Sequence, residues 1–343
     1  MLRIANYFES RLGRNDGNPL YIQAALKRMQ YHLDIAAGRP PNTDLLPWFG
    51  TQDGKKFQKD PRAEAAAKAF WAKHHDSFEA DHLYPMGDIS MFGTYDLNVH
   101  IDWGEDGLTG FLPYTPILTP HPMAYWASDT HLGYQYRVQM AKKADFAFCA
   151  QKRAVEEMKH DGVANPIWLP HAVEPLAYPK QENFTKHFDV CFIGHVNSKN
   201  REDALDRLFN EFPNFDYGQA LFEAAASRFG NAKIGFNISM LDDINMRTFE
   251  IMATGTLCLT NWIPTIEELF TDGQNIVLYR SLDEMVDKAK YYLAHDDERE
   301  KIAQAGYEEV MAKHTIQHRL DVILDEFMKS KVTNSKEADH AVH

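Results

Sequence analysis

No stretch of the chain approaches the roughly 20 consecutive apolar residues that a membrane-spanning helix needs, so no membrane span is expected. The first residues, MLRIANYFESRLGR, hold an apolar run too short for a secretory signal and no small-residue cleavage site. Cysteine is scarce. Cys149, Cys191 and Cys258 sit singly in apolar runs, without CxxC or Cys/His spacing. This excludes a disulfide framework and argues against a metal centre; it points to reduced, buried thiols in a cytoplasmic protein. Basic residues are outnumbered, 36 Lys and Arg against 49 Asp and Glu, for a net charge of −13. Proteins that work on DNA or on anionic membranes carry a basic footprint, so this balance weighs against both. The polar loop after the first apolar segment, residues 9–19, is not G-x-G-x-x-G, so it carries no dinucleotide fingerprint.

What is present is an alternation of short apolar segments with helical patterns at βαβ spacing. A length of 343 residues suits two domains better than one core. Leu2 to Phe8 reads as a strand, followed by the glycine-containing loop and a helix from Leu20. Further strands are expected over Tyr95 to Asp102, Met123 to Trp126 and Asp145 to Ala150, with helices over Ala63 to His75, Tyr134 to Lys143 and Lys152 to His160. Ala172 to His187 is polar, proline-containing and aperiodic, and reads as a linker. The pattern then restarts at Phe188-Asp189-Val190-Cys191-Phe192-Ile193-Gly194, a near-continuous apolar run of the kind found in parallel sheets covered on both faces. These breaks give an N-terminal domain over 1–172, a C-terminal domain over 173–330 and a polar, disordered tail over 331–343. The fold class is α/β with two Rossmann-like domains.

The stretch Asn237 to Trp262 carries the densest chemistry. A polar turn opens a helix bearing Arg247 and Glu250, the helix stops at Gly255, and a buried strand follows. Arg247 and Glu250 share a helix face. A helix N-terminus with a fixed cation and a fixed carboxylate suits a phosphate attached to a hydroxyl-rich sugar, and it equally describes a surface ion pair. Lys199 and Arg201 lie where the loop after Gly194-His195 turns into a helix, a position that cradles phosphates. Asp129 and His131 end a strand of the first domain, where a histidine can act as a general base or as a structural group. Asn15, Asp16 and His171 are further polar candidates on the first domain. His100, Asp102, Glu105 and Asp106 cluster at a strand end and offer hard metal ligands, but such clusters are commonly just solvated, and no metal is expected.

The chain resembles nucleotide-sugar glycosyltransferases of the GT-B fold, and within them the CgeB-like, spore-maturation type with a glycosyl-transferases-group-1 C-terminal domain. The residues that carry the resemblance are Tyr125 to His131, Phe148 to Gln151, Trp168 to Ala172, Phe188 to His195, Gly235-Phe236-Asn237, Asn245 to Glu250 with Ala253 and Gly255, and His314-Thr315 with Arg319. The resemblance implies two Rossmann-like domains facing a cleft, with the acceptor on the N-terminal side (Asn15, Asp16, His171) and the donor on the C-terminal side. Donor ligands would be Gly194, His195, Lys199, Arg201, Asn245, Arg247 and Glu250, with Glu250 on the ribose as the second glutamate of an E-x7-E motif. The first glutamate falls at Asp242, one methylene shorter. His131, Asp129 and Asp242 would be the catalytic set.

The implied reaction is metal-independent transfer of a hexose or pentose, retaining in outcome, with no cofactor beyond the nucleotide-sugar substrate. The chain has no D-x-D tripeptide of the kind that holds a metal–diphosphate in GT-A enzymes. The acceptor would be a glycan, a protein or a small molecule rather than DNA. An epimerase or hydrolase of the same fold, a DNA-modifying phage-type transferase and a non-catalytic nucleotide-sugar binder remain the competing readings.

Overall fold

The structure is a computed structural model that describes residues 1–7, 18–40, 61–74, 78–83, 95–101, 121–131, 133–181, 185–196, 198–241 and 243–341. It divides into two compact units, Met1–Pro170 with Ile316–His343, and His171–Thr315.

The first unit is built on six parallel strands: β1 (Leu2–Tyr7), β2 (Phe78–Leu83), β3 (Leu97–Ile101), β4 (Met123–Ala127), β5 (Phe146–Cys149) and β6 (Ile167–Trp168). Their order is β2-β1-β3-β4-β5-β6. All five residues of β3 and of β4 are buried, as expected of parallel strands covered on both faces. The helices are α1 (Asn18–Ala36), α2 (Pro61–His74), α3 (Tyr134–Ala141), α4 (Lys152–His160) and, from the far end of the chain, α10 (Ile316–Ala341). His100, on β3, is buried with its ring 5.6 Å from that of Tyr125, and its Nδ1 has no hydrogen-bond partner among the described residues. Burial alone pushes its pKa down to about 4.

The second unit has five parallel strands. In chain order its elements are β7 (Phe188–Ile193), α5 (Lys199–Glu211), β8 (Phe215–Gly218), α6 (Phe222–Gly230), β9 (Ala232–Phe236), α7 (Met246–Ala253), β10 (Leu257–Asn261), a 3-10 turn (Pro264–Glu268), β11 (Val277–Tyr279), α8 (Leu282–Ala294) and α9 (Asp296–Lys313). The order is β11-β10-β9-β7-β8. Chain direction across the sheet reverses at β7, since β8 lies on one side of it and β9 on the other. In open parallel sheets that reversal opens a crevice beyond the carboxyl ends of the strands, where ligands bind. One face is packed by Phe192, Leu205, Leu208, Phe236, Leu259, Tyr279, Met285 and Ala289.

Three expectations are corrected. Residues 316–330 belong to the first unit, because α10 packs there: Arg319 Nε donates to Pro170 O at 2.7 Å, Lys73 pairs with Asp325 at 2.7 Å, and the Phe327 and Phe146 rings meet edge-on at 6.4 Å. Residues 331–341 continue that helix instead of forming a disordered tail. The segment read as a linker is packed into the second unit. Ala172, Val173, Glu174, Ala177 and Tyr178 are buried, and Val173 bridges to Thr315. The three cysteines are free and buried, and desolvation raises the thiol pKa of Cys191 and Cys258. Among the described residues no helix is long and apolar enough to cross a membrane.

Candidate functional site

The site forms at the reversal in the second unit, and it begins with a glycine. Gly235 lies within β9, and a Cβ there would stand 2.4 Å from Ile251 Cγ2 of α7. Only a bare backbone lets that helix settle on the strand; a methyl group would force a shift costing about 1–3 kcal/mol. The close approach carries the first turn of α7 to the carboxyl end of β9, where Asn237 waits. Thr248, Phe249, Ile251, Met252 and Ala253 form the buried side of the helix, and Gly255 at φ 74° ends it in the left-handed conformation that glycine adopts without strain.

Asn237 is fully buried. Its Oδ1 accepts from Arg247 Nη1 and from Asn245 Nδ2, each at 3.2 Å. Its Nδ2 faces three hydroxyls, those of Thr260 (3.0 Å), Thr248 (3.1 Å) and Ser239 (3.4 Å). The Arg247 guanidinium carbon lies 4.9 Å from the centre of the Phe192 ring, a cation–π contact with the carboxyl end of β7. Its other edge lies against Gly194: a Cβ at that position would fall 2.1 Å from Arg247 Nη2. Any side chain at 194 therefore evicts the guanidinium. Among the described residues the Arg247 guanidinium makes no ion pair and no other hydrogen bond. Burial pulls its pKa down to about 10, partly countered by the charge of Glu250, so it stays protonated at neutral pH.

Arg201 is the second cation here. Its guanidinium carbon lies 6.0 Å from the same Phe192 ring. Its Nη atoms donate to His195 O (2.8 Å) and Ile238 O (3.1 Å), which ties the loop after β7 to the loop after β9. Arg201 thus supplies fixed positive charge and holds two loops, while Arg247 presents donors. The charge of Arg201 adds to the lowering of the Arg247 pKa by burial, and a bound anion would relieve that repulsion. Asn245 is the N-cap residue of α7. Glu250 lies half-buried on the same helix, within electrostatic reach of Arg247.

Other predicted residues fall elsewhere. Lys199 is exposed and its ammonium pairs with Asp203 of its own helix at 2.7 Å. His195 is exposed and its Nδ1 meets Gln219 Nε2 at 3.2 Å. His171 is buried and opens the second unit, so it is not part of the N-terminal unit to which it was assigned. In the first unit, Asp129 and His131 follow β4 in a segment pinned by Gln151, whose Oε1 accepts from the Thr130 amide and hydroxyl at 3.2 and 3.1 Å. Asp129 has φ 45°, an uncommon conformation for a non-glycine residue, and His131 Nδ1 is buried without a partner among the described residues. Asn15, Asp16 and Asp242 lie outside the described residues, as do Asp102, Glu105 and Asp106 of the acidic cluster near His100. Asn237 and Phe192 are the members that residue-type reasoning passed over. The available signal was an asparagine directly after an apolar strand, a polar group that burial obliges to find partners.

Residues 181–325 match the family described as "glycosyl transferase-like". No curated protein matches the chain. Among solved structures, HepE of Anabaena in complex with UDP and glucose aligns with a TM-score of 0.56 at 12% identity, over 96% of this chain and 100% of HepE. Sucrose-phosphate synthase of Thermosynechococcus elongatus aligns with a TM-score of 0.57 at 12% identity, over 97% of this chain and 100% of the other. TarM aligns with a TM-score of 0.53 at 12% identity, over 67% of this chain and 54% of TarM. The fold is that of GT-B glycosyltransferases. In the second unit the family match spans β7 to α9, and so contains every residue of the Asn237–Arg247 site.

Proposed function

We propose that the protein is a glycosyltransferase that moves a sugar from a nucleoside-diphosphate sugar to an acceptor, and that the second unit binds the donor. The observation that carries this reading is a half-buried guanidinium, Arg247, held by a neutral amide at a parallel sheet's switch point with a second guanidinium beside it. Cleaving a sugar–diphosphate bond develops negative charge on the leaving phosphate, and preorganised cations stabilise it. Arg247 donates to the diphosphate, Arg201 adds fixed charge, and the N-terminus of α7 adds its dipole. Glu250, one turn along α7, accepts from the ribose hydroxyls, a task only an acceptor of that kind can perform. These groups take the part that a metal ion plays elsewhere, so the reaction is metal-independent in this reading. HepE was solved with UDP and glucose, which supports a UDP-sugar as donor.

The finer features rest on the resemblance: a CgeB-like transferase of retaining outcome, using Asp129 and His131 with a glycan, protein or small-molecule acceptor. The test is a thermal-shift panel of UDP-, GDP- and TDP-sugars against the free sugars, followed by detection of released nucleoside diphosphate with acceptors. One nucleotide-sugar family should raise Tm and free sugars should not. No shift from any member of the panel would overturn the assignment.

Glu250→Ala gives a separate check. The variant should bind UDP about 10- to 100-fold more weakly, the loss expected for hydrogen bonds to a charged group. It should also bind 2′-deoxy-UDP and UDP alike, whereas the parent prefers UDP. A preference that survives the substitution would remove Glu250 from the ribose.

A further inference from the structure

We propose that Asn237 is the positioning residue of this site: its neutral amide aims Arg247 and leaves the guanidinium charge available to the anion. This rests on the reading that Arg247 meets a phosphate. Arginine has no acceptor, so the amide face turned to Arg247 Nη1 must be the oxygen, which fixes the orientation of the Asn237 side chain. That leaves the amide nitrogen against the hydroxyls of Thr248, Thr260 and Ser239, all buried. The same oxygen takes a hydrogen bond from Asn245 at the opening of α7, so one buried atom fixes both the helix start and the cation beside it.

A half-buried arginine is commonly matched by a carboxylate, because an unpaired charge withdrawn from water is costly. Here the hydrogen-bonded partner is an isosteric but uncharged amide. Aspartate would fit the same volume, and the three hydroxyls can rotate to donate to it, so packing does not demand asparagine at this position. The electrostatics do. A carboxylate 3.2 Å from Arg247 would satisfy it internally and compete with the incoming phosphate.

The experiment is calorimetric titration with UDP and with uridine of the full-length protein and its Asn237→Asp, Asn237→Ala, Arg247→Ala and Asn237→Ala/Arg247→Ala variants, with Tm recorded for each. Asn237→Asp should keep a cooperative unfolding transition and lose UDP affinity by about 10-fold or more, with uridine binding unchanged. Asn237→Ala should lose less, and the double variant should bind UDP no more weakly than Arg247→Ala alone, since Asn237 acts through Arg247. UDP affinity equal to the parent in Asn237→Asp, or losses that add in the double variant, would overturn the proposal. Should Asn237→Asp fail to fold, the alanine cycle decides by itself. An Arg247→Ala variant that binds UDP like the parent would instead overturn the phosphate reading, and the proposal with it.

Discussion

Replacing Arg247 with alanine should weaken UDP binding by about 10- to 100-fold and leave uridine binding within a few-fold of the parent. The size follows from what the side chain does. A charge-assisted hydrogen bond to phosphate contributes about 1.5–3 kcal/mol, and each 1.4 kcal/mol is tenfold in affinity. The selectivity follows from where the side chain sits, between Asn237 at the end of β9 and Gly194 at the end of β7, over the Phe192 ring. Loss of the side chain also removes the cation–π contact with Phe192, but Arg247 is half-buried and makes one side-chain hydrogen bond among the described residues, so the fold should survive. Titration with UDP and uridine measures both quantities. Equal losses for the two ligands would mean that Arg247 supports the nucleoside or the fold, not the phosphate.

Burial of His100 should make stability depend on pH. Its pKa falls from 6.5 to about 4 on folding because burial penalises the imidazolium. The unfolded chain therefore binds more protons between these values. The contribution of this residue is complete above pH 6.5 and is lost as pH falls toward 4. At about 1.4 kcal/mol per unit this amounts to about 3 kcal/mol. Asp321 works in the opposite direction, since desolvation raises its pKa to about 6 and its contribution is lost as pH rises from its unfolded value toward 6. The two windows overlap, so the total pH profile does not isolate either group. The difference between the parent and His100→Leu does. Denaturant unfolding at pH 7 and pH 4 should show the variant gaining about 3 kcal/mol relative to the parent on going to the lower pH. Parallel pH profiles would contradict a desolvated His100.

Much of the second unit was legible because its determinants are local. The run Phe188 to Gly194 could only be a strand buried on both faces, and the helix bearing Arg247 and Glu250 is closed by a glycine that structure and pattern place alike. The position of α10 was not legible. Its helical period says that it forms, not where it docks, and the decisive contacts reach back across the chain to Met29, Lys73, Phe146 and Pro170. The strand Phe215–Gly218 was missed for a related reason: it alternates weakly and is half-exposed, so it gives no run of buried residues to read.

The site itself was half legible. Residue type and position singled out Arg247, Glu250 and Gly194, and the structure brings Arg247 against Gly194. Charge alone could not separate Arg247, which presents donors, from Arg201, whose Nη atoms are spent on two backbone carbonyls, or from Lys199, which pairs with Asp203 on its own helix. That distinction lies in tertiary hydrogen bonding. It also explains why Asn237, uncharged, was not among the candidate ligands although its side chain holds Arg247.

The central claim is that the crevice at the reversal of the second sheet binds the diphosphate of a nucleotide-sugar. Calorimetric titration of the unmodified protein with UDP, GDP and TDP and with the corresponding nucleosides tests it most directly. The account predicts saturable binding of at least one diphosphate, at least tenfold tighter than its nucleoside and weakened by added salt. Nucleosides binding as tightly as their diphosphates, or no binding by any of the three, would contradict it.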